Sequence, residues 1–172
     1  KNNNKLKIID CSWHMPNVYR DPYKEYLESH IENSIFFDLD KNSDLNTDLP
    51  HMLVKNCEWE KIVSNLGISN KDEIVVYDNS DVLSSCRCWY NFVYFGHNKN
   101  LVHVLDGGLK KWNNEKKQTT KKILEIKSTK YIANEIKDLV KDKSQININI
   151  KEQKFKVIDA RSRERFEGKV KE

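Results

Sequence analysis

No apolar run in this chain approaches the roughly 20 residues needed to cross a bilayer, which excludes a membrane-spanning helix. No signal-peptide pattern of charged, apolar and cleavage regions stands at its start, so nothing marks the chain for secretion. The first residue is Lys1 rather than Met, which leaves room for sequence ahead of it. No CxxC pair occurs among the four cysteines (Cys11, Cys57, Cys86, Cys88), and their spacing suggests neither a disulfide framework nor a zinc site. Cys86 and Cys88, with His97 and His103 downstream, stand two apart on a predicted helix and so face different sides. No metal is expected. Arginine is scarce: five residues, Arg20, Arg87, Arg161, Arg163 and Arg165, three of them crowded into the last twelve positions. The net charge of +4 therefore rests on scattered lysine, the pattern of a solvated face and not of a nucleic-acid stripe. With a mean hydropathy of −0.78 and 172 residues, the expectation is a soluble, reduced, cytoplasmic protein with one full domain.

What is present centres on residues 73–97. Ile74 to Tyr77 is a short β-branched and aromatic run bounded by charge and by Asp78-Asn-Ser, which predicts a buried strand. After the polar loop, Cys88, Trp89, Phe92, Val93 and Phe95 form a broad apolar face, predicting a helix capped by Ser84 or Ser85 and stopped by Gly96. A loop from a strand's carboxyl end into a helix N-terminus gathers backbone N–H groups on one spot and favours an anion there.

Around this unit the chain alternates strands and helices, which implies a parallel α/β sheet. Strands are expected at Leu6–Asp10, within Ile31–Leu39 and at Leu101–Leu105, and helices at Tyr23–Ser29, at Cys57–Leu66 before Gly67, and from Asp106-Gly107-Gly108 to Trp112. The Gly-Gly pair is turn geometry, since no Lys-Ser/Thr pair follows to make a phosphate loop. Residues 113–130 read as a polar linker, Tyr131 to Val140 as a helix, and Lys141 to Lys154 as a mobile low-complexity loop. Phe155-Lys-Val-Ile-Asp159 then repeats the pattern of Leu6-Lys-Ile-Ile-Asp10, suggesting a second copy of one fold that has too few residues here for its own core.

These pieces resemble the rhodanese family, and more narrowly its two-domain thiosulfate and 3-mercaptopyruvate sulfurtransferases. The matching segments include Asp10-Cys-Ser-Trp13, Tyr26-Leu-Glu-Ser-His30-Ile31, Pro50-His-Met-Leu53, Ile74-Val-Val-Tyr-Asp78, Phe95-Gly-His97, Val104-Leu-Asp-Gly-Gly108, Val157-Ile-Asp-Ala-Arg161 and Arg165-Phe-Glu-Gly168. One departure is Glu32-Asn-Ser34, where the family usually has Pro-Gly-Ala. The resemblance implies a non-catalytic rhodanese-like domain over 5–112, a linker over 113–130, and the truncated start of a second domain over 131–172.

It also implies the chemistry. The family's second domain carries a cysteine nucleophile in its strand-to-helix loop; Asp78 occupies the matching position here, so no catalytic residue is expected in this chain. A carboxylate can fill the anion site permanently but cannot accept and release sulfur. Arg165 matches the arginine that holds the anionic sulfur donor, a role suited to a planar guanidinium. Arg161 is expected in a structural ion pair and Arg163 at the surface. No cofactor is implied. The partners expected are the anionic donor and the absent remainder of the second domain, with neither nucleic acid nor membrane. The chain is expected to be inactive alone. The alternative is a non-catalytic rhodanese-like binding or scaffold module, or the product of an interrupted gene.

Overall fold

The computed structural model describes residues 5–170, and the chain divides into two compact units, Lys1–Lys137 and Asp138–Glu172. In the first unit, β1 (Leu6–Asp10), β2 (Ser34–Phe36), β3 (Glu73–Tyr77) and β4 (Val102–Val104) form one sheet in the order β2-β1-β3-β4. Every pairing is parallel, with Ile9 opposite Ile35 and Val76, and Val76 opposite Val104. The connections run through α1 (Pro22–Glu28), α2 (Asn56–Asn65), α3 (Ser84–Tyr94) and a 3-10 turn at Lys99–Leu101, and α4 (Gly108–Asn114) follows β4. The α/β expectation holds.

The strands' period of two sorts their side chains onto two faces. Ile9, Ile74, Val76 and Val102 join the larger core with Trp59 and Val63 of α2, Cys88 and Phe92 of α3, and Phe95 directly after it. Ile8 and Tyr77 look the other way, toward Ile31, Leu109 and Trp112. Trp59 is fully buried and anchors the larger core, stacked on Phe95 at 4.7 Å with Phe37 and Phe92 edge-on. Tyr77 is fully buried too, and its hydroxyl takes the amide of Ile31 and pairs with Ser34 Oγ. The Glu32-Asn33-Ser34 departure is absorbed locally. Asn33 takes φ +62°, the left-handed conformation that Asn tolerates better than most residues, and the Ser34 amide closes the turn on Ile31 O.

Four local expectations change. The start of α3 is not a serine cap: Leu83 stands at the N-cap in the left-handed region (φ 51°) with no side-chain bond, and Ser84 and Ser85 are already helical. Residues 131–136 are not a helix; only Lys137–Leu139 makes a 3-10 turn. Residues 141–154 are not a loop, because Lys143–Glu152 is a helix, α5, whose cap Asp142 and Gln145 form a reciprocal capping box. The strand implied by the repeated pattern at Phe155–Asp159 is absent: Val157 and Ile158 are 64% and 84% exposed, and no described neighbour supplies a ladder for their backbone. This second unit adds the short helix α6 (Arg163–Phe166). Asn149 ties α5 to Phe155 by bonding both its amide and its carbonyl.

The polar stretch expected as a linker is extended but not loose. Glu115 to Ile136 forms a strap that exchanges backbone hydrogen bonds between His30 and Thr120 (3.0 and 2.8 Å). Further on, the strap amides of Tyr131, Ile132 and Ala133 donate to Ser64 Oγ, Asn70 Oδ1 and Glu60 Oε1. The amides of Asn134 and Ile136 donate to Phe95 O and Tyr94 O, and the Tyr131 side chain is buried in the larger core. Gly67 and Gly96 stop α2 and α3 with positive φ, and a Cβ on them would lie 2.7 Å from Lys127 O and 2.5 Å from Asn134 O of the strap.

Trp59→Ala is expected to lower unfolding stability by about 3–5 kcal/mol. Urea denaturation followed by circular dichroism checks it, and a midpoint unchanged from wild type would contradict this account of the core.

Candidate functional site

The carboxyl ends of the parallel strands converge on the loop after β3, the position where open α/β sheets place their sites. A cavity of about 630 Å³ opens there, walled by Asp78, Ser80 and Asp81 of the loop, Cys86 of α3, the Asp106–Gly108 turn, Arg20 and Lys110. The loop's own hydrogen bonds define what this place can hold. Asp78 is buried; its Oδ2 accepts the Ser85 amide at 2.7 Å and its Oδ1 accepts the Ser80 amide at 3.1 Å. The N-terminal amide that a bound anion would take from α3 is thus held by a side chain of the loop itself. From behind, Asp78 O accepts the Leu109 amide at the start of α4.

The surrounding polar groups are saturated in the same way. Ser12 Oγ donates to Asp10 Oδ1 at 2.6 Å and accepts the Asn79 amide. Ser84 Oγ donates to Cys11 O, which leaves Ser80 Oγ to donate to Ser84 Oγ and accept the Trp13 amide. Burial raises the Asp10 carboxyl against the opposing pull of the two Ser12 bonds, with neighbouring Asp78 adding to the rise. Such a network leaves little unpaired polarity in the loop.

A second cluster borders the cavity that the sequence pattern did not single out. Arg20 Nε and Nη2 grip Glu25 at 2.6 and 2.7 Å, His14 Nε2 and Asn79 Nδ2 meet the same carboxylate at 3.1 Å, and Arg20 Nη2 reaches Asn79 O. Burial would raise Glu25, but the Arg20 fork and His14 outweigh it and hold the carboxyl below its usual range. Only the fold joins Arg20 and Glu25 to Asn79, and nothing in the local spacing signals the contact.

The thiols divide by burial. Cys11 and Cys88 are buried core residues, and burial with the neighbouring Cys88 pushes the Cys11 thiol well up, the opposite of activation. Cys57 and Cys86 are exposed free thiols, and Cys86 lies on the cavity wall beside the Asp78 loop. No group of three or more His, Cys, Asp or Glu among the described residues could hold a metal ion.

Arg165, the expected donor-binding residue, lies in the second unit on the exposed short helix α6, where its amide bonds the Ser162 cap. The structure therefore places Asp78 and Arg165 in different units. Arg161 forms the ion pair expected of it, Nη2 to Asp159 Oδ2 at 2.7 Å, and its bonds hold Asp159 down to about 2. Arg163 pairs with Glu167 at the surface.

Residues 1–115 match the Rhodanese-like domain model, and the chain belongs to the rhodanese family. It is 38% identical over 97% of its length to thiosulfate/3-mercaptopyruvate sulfurtransferase 1, mitochondrial, of Arabidopsis thaliana, covering 49% of that protein. It is 33% identical to the 3-mercaptopyruvate sulfurtransferase of Mus musculus, covering 95% of this chain and 55% of the relative. In three dimensions it is similar to the 3-mercaptopyruvate sulfurtransferase SseA of Escherichia coli. There the TM-score is 0.88 at 28% identity, over 98% of this chain and 64% of that one. The chain spans about half the length of the curated relatives it matches.

Asp78→Ala leaves the buried Ser85 amide without its acceptor. It is expected to cost about 1–2 kcal/mol, as loss of a helix cap does, and to lower the melting temperature by about 2–8 °C. Calorimetry on the variant decides it: an unchanged midpoint would show that water serves the helix start equally well.

Proposed function

We propose that this chain is the non-catalytic rhodanese-like domain, with the beginning of a catalytic one, of a sulfurtransferase acting on thiosulfate or 3-mercaptopyruvate. The observation that supports this most is Asp78, whose carboxylate fills the strand-to-helix loop where a sulfur-carrying thiolate would otherwise sit. The relatives' printed names supply the substrate class.

In the complete protein, a cysteine thiolate in the matching loop of the second domain attacks the outer sulfur of thiosulfate. A sulfur–sulfur bond forms to the cysteine, the donor's sulfur–sulfur bond breaks, and sulfite leaves with its electron pair. From 3-mercaptopyruvate the carbon–sulfur bond breaks instead, and the carbon takes up a proton as pyruvate departs. Cyanide or a thiolate then attacks the terminal sulfur of the persulfide and frees the cysteine thiolate. Loop amides and a helix N-terminus stabilise that thiolate, and neither metal nor cofactor is needed.

Arg165 would bind the anionic donor through its planar fork. The four free thiols fit the reducing cytoplasm, and among the described residues no helix is long and apolar enough to cross a membrane. If the native protein instead ends near Glu172, the chain is a binding module of the same family; the intact mass of the protein from its source cells separates the two.

The chain by itself is expected to form no thiocyanate from thiosulfate and cyanide. Turnover that disappears in Cys86→Ser would overturn this reading and move the chemistry to the cavity wall. In the full-length protein, Arg165→Ala is expected to lower kcat/KM for the donor at least about tenfold, the size of one lost charge-assisted hydrogen bond.

A further inference from the structure

Two thiols that take no part in the proposed chemistry meet inside the larger core. Cys11, directly after β1, and Cys88, on α3, are 1% and 0% exposed, unlinked, and members of the same apolar cluster. Their side chains are hydrogen-bonding neighbours. The backbone arranges that meeting. Cys11 N donates to Tyr77 O of β3 at 2.8 Å, and Cys11 O accepts Ser84 Oγ at 2.7 Å. Cys88 follows Ser84 by one helical turn and so stands on the same stripe of α3. The serine's bond therefore brings the cysteine-bearing side of the helix to the residue that carries the other thiol.

We propose that Cys11 and Cys88 are a dithiol that the fold presents for disulfide formation, a redox-responsive latch between the end of β1 and α3. The oxidant is a small-molecule disulfide. One cysteine thiolate attacks it, which forms a mixed disulfide and releases one small thiolate. The second cysteine thiolate then attacks the protein sulfur of that mixed disulfide and releases the other. The two cysteines give up two electrons in all, their protons pass to the departing thiolates, and the small disulfide is reduced to two thiols. The inference rests on these contacts and not on the sulfurtransferase reading.

Such a latch closes slowly and opens slowly. Burial and the neighbouring Cys88 push the Cys11 thiol up, so little of it is thiolate. Both sulfurs are enclosed while the first turn of α3 stays seated on Asp78 through the Ser85 amide and on Cys11 through Ser84. Exchange therefore waits for local opening of that turn. The exposed thiols Cys57 and Cys86 need no such opening. Once formed, the bond ties β1 to α3 across the stretch of chain that contains the Asp78 loop. It also constrains the unfolded chain, and so stabilises the fold.

Glutathione redox buffers test the pair at equilibrium, so slow access does not hide the outcome. The intact chain carrying Cys57→Ser and Cys86→Ser is brought to equilibrium from both the reduced and the oxidised side, quenched with acid, alkylated and weighed. The folded chain is expected to favour the Cys11–Cys88 disulfide at least about tenfold more than the same chain does in urea at the same glutathione ratio. The oxidised chain should melt about 5–10 °C above the reduced one. Cys88→Ala should show neither effect, and Cys11→Ala serves as the control if that variant does not fold. A disulfide no more favoured in the folded chain than in urea overturns the proposal. So does an oxidised chain that melts at or below the reduced one, or oxidation that yields only links between molecules or to glutathione.

Discussion

Everything at the carboxyl edge of this sheet depends on one carboxylate meeting one helix start. The amides at the N-terminus of α3 have no partners within the helix, and the aligned peptide dipoles concentrate positive potential on them. Asp78 supplies the negative charge from the end of β3, seven residues earlier in sequence and 2.7 Å away in space. That contact fixes the loop, lets Leu83 sit in a left-handed conformation that costs about 1–2 kcal/mol, and holds the serines in position to bind Cys11 and Trp13. The same physics that would activate a thiolate here serves to anchor a backbone.

Much of this was legible in the chain. The β-branched run before Asp78, the apolar face of α3 and the glycines after α2 and α3 each carry a local signal, and local signals predicted the sheet and its helices. Asp78 stood out only through the family resemblance, which sets it where a cysteine nucleophile stands, and its bonds to the Ser80 and Ser85 amides come from the fold. The cap of α3 was misread because the acceptor lies on another element, and Ser84 and Ser85 look like caps only when neighbours in sequence are considered. The strap was missed for the same reason: its partners are Ser64, Asn70, Glu60 and backbone carbonyls elsewhere, which leave no periodicity in residues 115–136. The helix α5 was missed as well: Asp142 and Gln145 stand at the spacing of a capping box, but the low-complexity composition around them reads as a loop.

The two units also differ in how completely their sequences are answered by contacts. In the first, each face of the sheet meets helices, and the large aromatics Trp59, Tyr77, Phe37, Phe92 and Phe95 are fully enclosed. In the second, a segment with the composition of a parallel strand, Phe155 to Asp159, has no ladder among the described residues. A strand sequence specifies a face and a period, but its hydrogen bonds belong to whatever lies beside it. The chain belongs to the rhodanese family and spans about half the length of the relatives it matches.

The two stop glycines have a consequence for how the chain can be divided. Gly67 and Gly96 leave hollows at the ends of α2 and α3, and strap carbonyls occupy both. Severing the polypeptide where its composition changes, at Trp112, would empty those hollows, uncover the slot that holds the Tyr131 ring, and strip Ser64, Asn70 and Glu60 of the amides they bind. A fragment with a clean edge has to reach past Ile136, because the compact unit runs to Lys137, well beyond the helix α4 that ends at Asn114.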